Sequence, residues 1–180
     1  IVAEYKAKGW ENVICYGMGS TLDDVKNAAA AEMNIVCSAA AIKAAEYLKE
    51  KFGTPYEIEY PQSCLPEEIV QKADNFTDKN VLVIHNQTAA DAVRKLITEK
   101  SGKCHCTSAT FFMQKKELSQ QSDFFLADES DLCDNVGDNY DVVIADKALR
   151  CVMKNFSGEF IDFPHFGLSG RLLQGESEKI

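Results

Sequence analysis

NVLVIHNQTAADAVRKLITEKSGKCHCTSATFF, residues 80–112, decides the fold class. Val81–Ile84 is continuously apolar rather than alternating, the pattern of a strand whose two faces are both covered by helices in a parallel sheet. The segment AADAVRKLITEKSG reads as a helix, and CTSATFF (106–112) as the strand after it. Strand, helix, strand in immediate succession is the unit of a doubly wound α/β fold.

The same alternation extends outward in both directions. NVICYG (12–17), MNIVCS (33–38), YEIEY (56–60), YDVVIAD (140–146) and EFIDF (159–163) read as further strands, and DFFLAD (123–128) as a weaker one. AAAIKAAEYLKEKFG is the clearest helix: Ile42, Ala45, Leu48, Lys49 and Phe52 leave one mostly apolar face, and Gly53 supplies a C-cap. TLDDVKNAAAA and ADKALRCVMKNF read as shorter helices. Thr21 and Thr88 are expected N-caps, each with a carboxylate in the following turn. The architecture implied is two Rossmann-like lobes with mostly parallel sheets facing a cleft. The first is a partial lobe over 1–62, and the second spans 80–168. A connecting helix over 63–79 joins them, and a polar tail over 169–180 follows.

Composition sets the class. With 46% apolar and 26% charged residues in 180, the chain is globular. A net charge of −9 with dispersed basic residues argues against nucleic acid as a partner. No run reaches the roughly 20 apolar residues of a membrane span, so no membrane partner is expected. The seven cysteines are scattered without a CxxC pair, which points to a reducing cytoplasm and not to a disulfide scaffold. Cys15 and Cys151 are expected to be small buried residues. The opening IVAEYKAKGW shows neither a leader pattern nor an initiator Met, so a fragment of a longer chain is expected.

Ligands of open parallel sheets bind beyond the carboxyl ends of the strands. The residues there are Gly17-Met18-Gly19-Ser20, Cys37-Ser38, His85-Asn86-Gln87-Thr88, Asp146-Lys147 and Pro164-His165. Gly17, Gly19, Ser20 and Thr21 form a glycine turn into a helix, a candidate anion site, although the turn matches neither GxGxxG nor a Walker A loop. Cys37 and His165 are candidate metal or cluster ligands at strand ends in different lobes. His165 can be read as a histidine aimed into a cleft or as part of a plain turn after Pro164. Cys104-His105-Cys106 is not a zinc site, because a strand turns His105 away from the two thiols and no second pair is near. His85 reads as a pocket residue or a satisfied surface imidazole, and Asp146 as a helix N-cap. No serine-hydrolase arrangement is present.

Two longer stretches carry a family resemblance. AEMNIVCSAAAIKAAEYLKEKFGTPYEIEYP and DNYDVVIADKALRCVMKNFSGEFIDFPHFGLSGRLL, with FGTPY and PHFxxSG in combination, resemble nitrogenase component 1-like oxidoreductases. That family includes the molybdenum–iron protein subunits and the light-independent protochlorophyllide reductase subunits. The resemblance implies a fragment covering most of the second and the third of three Rossmann-like domains. Cys37, sixteen positions before Gly53, falls where the cofactor-carrying subunit has its cluster-ligating Cys. His165, followed by Ser169-Gly170, falls where that subunit has its cofactor-ligating His. Cys37, Ser38, His165, Ser169 and Gly170 are thus the implied cofactor-binding residues, Cys37 and His165 the implied metal ligands. The implied cofactor is an iron–sulfur or related metallocluster, or alternatively a tetrapyrrole. Implied partners are an ATP-dependent iron–sulfur reductase that supplies electrons and a homologous subunit. The isolated fragment is expected to be inactive, and a non-catalytic scaffold that binds or delivers such a group is the alternative.

Overall fold

The computed structural model describes residues 1–16, 19–136 and 139–169. The chain forms two compact units, 1–64 and 65–180. Both are α/β with parallel strands only.

In the first unit, helix α1 (Val2–Ala7) is followed by α2 (Leu22–Lys26), strand β1 (Asn34–Val36), α3 (Ile42–Phe52) and β2 (Tyr56–Ile58). β1 and β2 pair in parallel, with Val36 opposite Ile58. Ile42 and Ala45 anchor α3, which ends at Gly53 in the left-handed region with φ 77°. Thr21 caps α2 by accepting from Asp24 N, and Asp24 accepts in return from Thr21 N. The expected strand over 12–17 does not form within the described residues 12–16. Its apolar side chains lack a buried face: Ile14 and Tyr16 are 51% and 46% exposed. Without a ladder partner the run has no reason to be a strand.

The second unit holds α4 (Glu67–Lys72), β3 (Asn80–Ile84), α5 (Gln87–Ser101), β4 (His105–Thr110), β5 (Phe124–Phe125), α6 (Glu129–Val136), β6 (Val142–Ala145) and β7 (Glu159–Asp162). Its sheet runs β5-β4-β3-β6-β7. The continuous apolar runs are buried on both faces, as their lack of alternation requires. Leu82 and Ile84 pack with Leu132, Val136, Leu149 and Met153. Val81 and Val83, on the opposite face, are equally buried. The stretch 63–79 is no bare connector: Ile69, Ala73 and Phe76 are fully buried in the second unit's core. Asn86, not Thr88, caps α5; its Oδ1 accepts from Ala89 N at 3.0 Å and from the Thr88 hydroxyl at 2.8 Å. ADKALRCVMKNF forms only a 3₁₀ turn, Lys147–Cys151, whose exposed side carries Cys151. Cys15 is only half-buried, again because its run stays outside a sheet.

In this strand order β3 is flanked by β4 on one side and β6 on the other, so the winding direction reverses between β3 and β6. In open α/β sheets such a reversal, at the carboxyl ends of the strands, is where ligands bind.

Candidate functional site

Register brings the site together. Ile84 lies opposite Ala145, and Ala145 opposite Asp162. The residues just beyond are His85 after β3 and Asp146 after β6, with Phe163 after β7, all at one level of the sheet end. The ladder continues one step further, with His85 N donating to Ala109 O at 3.2 Å and Phe163 N to Ala145 O at 2.9 Å. Pro164 cannot extend it, and the chain turns so that His165 folds back over the strand ends.

Asp146 is the hub. Fully buried, it caps the following 3₁₀ turn through Oδ1, which accepts from Ala148 N at 2.8 Å. Its Oδ2 accepts from His165 N at 2.7 Å and from the Ser169 hydroxyl. The carboxylate thereby fixes the His165 backbone and the short helical turn over 166–169.

Four rings line up beside it. Phe112 stacks on His165 at 3.9 Å and 12°, His165 meets His85 edge-on at 4.6 Å, and His85 stacks on Phe163 at 4.0 Å and 21°. His85 and His165 are 4% and 7% exposed. His85 Nε2 lies 3.2 Å from Pro164 O and, facing an acceptor, donates to it. His165 Nδ1 accepts from Gly167 N at 3.0 Å. Burial pushes the pKa of His85 down to about 4, helped by the neighbouring His165 and only partly offset by Pro164 O and Asp146. Burial also lowers that of His165, with Asp146 pulling the other way. Both imidazoles are neutral at physiological pH. Gly167 packs against the Phe112 and His165 rings: a Cβ there would lie 3.0 Å from Phe112 Cε1 and 3.3 Å from His165 Cε1. Met113 and Phe166, next in sequence to the stack, are 68% and 80% exposed.

His165 and Ser169 are therefore brought together, with His85, read from the sequence as either a pocket residue or a surface imidazole, and Asp146, which is the cap expected and also the partner of both. The signal was available: VLVIH and VVIAD end side by side once β3 and β6 are neighbours. Gly170 and Gly17 lie outside the described residues.

Cys37 and Ser38 belong to the first unit, directly after β1. Ser38 Oγ accepts from Ala40 N at 3.4 Å and caps a 3₁₀ turn. Burial raises the Cys37 thiol to about 11, reinforced by Cys64, Cys15, Glu59 and Glu4. Each of these influences disfavours the thiolate form that metal binding needs. The glycine turn at Gly19, Ser20 and Thr21 is already served: Asp24 takes the Thr21 N–H at 2.7 Å and its hydroxyl at 2.8 Å. An anion there would meet that carboxylate.

A metallocluster does not fit this donor set. Among the described residues no group of three or more His, Cys, Asp or Glu could hold a metal ion. The Cys37 thiol is held protonated, and His165 Nδ1 is occupied by a main-chain N–H. Among the described residues no helix is long and apolar enough to cross a membrane.

No family model matches the sequence, and no curated protein does. Among solved structures the chain is similar to nitrogenase Cp1 at pH 6.5, with a TM-score of 0.52 at 15% identity. The match covers 87% of this chain and 43% of that one, so the chain spans less than half its length. What the two share is their fold, parallel α/β lobes of the nitrogenase type.

Proposed function

We propose that this chain is part of a nitrogenase component 1-like oxidoreductase subunit, contributing a ligand-binding crevice at the carboxyl end of a Rossmann-like sheet. The observation that carries the reading is the neutral imidazole pair, His85 and His165, at the point where the strand order reverses. In the whole protein, electrons would come from an ATP-dependent iron–sulfur reductase, and a homologous subunit would complete the assembly. Of the two groups the family resemblance implies, a tetrapyrrole suits this crevice better than a metallocluster. Stacked rings with exposed Met113 and Phe166 beside them favour a large, planar, apolar ligand.

The test is electron acceptance. Full-length protein is mixed anaerobically with an ATP-dependent iron–sulfur reductase, and re-oxidation of the reductase is followed with and without ATP. Acceptance that requires ATP and slows by about tenfold or more in His165→Ala supports the oxidoreductase. A full-length protein that binds protoporphyrin yet takes no electrons would instead be a scaffold.

A further inference from the structure

We propose that His165 meets its ligand as a neutral hydrogen-bond donor through Nε2–H, not as a metal ligand, and that the group it contacts is a carbonyl or carboxylate oxygen of an organic molecule. The inference rests on reading the crevice as the ligand site. A main-chain N–H can only donate, so the Gly167 N–H at 3.0 Å fixes the lone pair on Nδ1. The proton of the neutral ring then sits on Nε2. Among the described residues Nε2 has no hydrogen-bond partner, in a residue 7% exposed. The atom is not sealed from solvent, so an oxygen of a ligand can reach it and accept its hydrogen.

Metal-binding histidines show the reverse arrangement. The ring nitrogen that does not bind the metal donates its hydrogen to a carboxylate, carbonyl or water. In His165 the second nitrogen faces a donor. The one buried carboxylate of the crevice, Asp146, bonds the main chain of His165 rather than its ring. Ligation through Nε2 would place a hydrogen on Nδ1, against the Gly167 N–H. Ligation through Nδ1 would displace that N–H altogether. Either route costs the Gly167 N–H its hydrogen bond, and with it a factor of a few up to about tenfold in metal affinity. Gly167 cannot easily retreat, since it packs directly on Phe112 and on the His165 ring. An oxygen acceptor requires none of these changes.

Nitrogen NMR on the folded chain tests the proposal without knowledge of the ligand. The chain has three histidines, so ¹⁵N-histidine labelling gives three ring patterns. His165→Gln assigns the ring of interest. Should that variant not fold, His85→Gln and His105→Gln assign it by elimination. The expected result is a protonated Nε2 and a lone-pair Nδ1 at neutral pH, unmoved by one equivalent of zinc(II) or cobalt(II). A proton on Nδ1, exchange between the two tautomers, or a metal-induced change confined to His165 would overturn the proposal. The tautomer is independent of electron acceptance, so this test and that of the oxidoreductase reading fail separately.

Discussion

Both oxygens of Asp146 accept hydrogen bonds, from Ala148 N on one side and from His165 N and Ser169 Oγ on the other. An amide in its place must turn an NH₂ toward a donor whichever way it is flipped. Asp146→Asn is therefore expected to cost about 3 kcal/mol, close to Asp146→Ala, and chemical denaturation should give the two nearly the same midpoint. His85 carries a pH signature. Its folded pKa of about 4 lies below the ordinary 6.5. Between those values the unfolded chain binds a proton that the folded chain refuses, so this contribution to stability is full above pH 6.5 and falls as pH drops toward 4. Between pH 7 and 5 the loss attributable to His85 is about 2 kcal/mol. His85→Phe, which keeps a ring against Phe163, should show a pH dependence shallower by that amount. An unchanged slope would mean that His85 is not buried neutral.

Elements whose burial is decided locally were legible in the sequence. The apolar runs at 81–84 and 142–144 announced two-sided strands, and Gly53 announced the end of α3. What depends on a distant partner was not legible. Asn12–Tyr16 has strand-like composition but no ladder, and Thr88 lost the cap of α5 to Asn86, two residues earlier. Two glycines separate local from tertiary constraint. At Gly53 nothing lies within 4 Å of an added Cβ, so Gly53→Ala is limited to the cost of the left-handed backbone, about 1 kcal/mol. At Gly158 a Cβ would lie 2.5 Å from Asp141 O, the carbonyl that accepts Glu159 N at 2.9 Å and starts the β6–β7 ladder. Gly158→Ala should cost more, about 2 kcal/mol or above, read as a lower denaturation midpoint of the second unit at unchanged slope. Equal costs at the two glycines would contradict this packing.

The two units differ in what holds them. The first has a two-stranded sheet, and its best-buried side chain, Val36, is 2% exposed. The second has five strands and, among the described residues, more than a dozen large side chains exposed by less than 2%, nearly all on its sheet, α5 and α6 or around α4. A pair of strands is marginal without further packing, so amides of β1 and β2 should exchange with deuterium well before those of β3, β4 and β6, which open only globally. Comparable protection in both sheets would refute that ranking.

Strand order is also where the crevice was hidden: each strand end was readable, but that β3 and β6 are neighbours, and hence that His85 and Asp146 adjoin, is a property of the whole sheet. The central claim is that this sheet end receives an organic ligand through a donor imidazole. The most direct measurement is iron analysis with visible and EPR spectra of the anaerobically purified full-length protein, beside His165→Gln and His165→Leu. The account predicts a tetrapyrrole-like absorption that Gln, which keeps an N–H donor, largely retains and Leu loses, with no cluster signal that depends on His165. An iron-cluster signal abolished by both substitutions would contradict it.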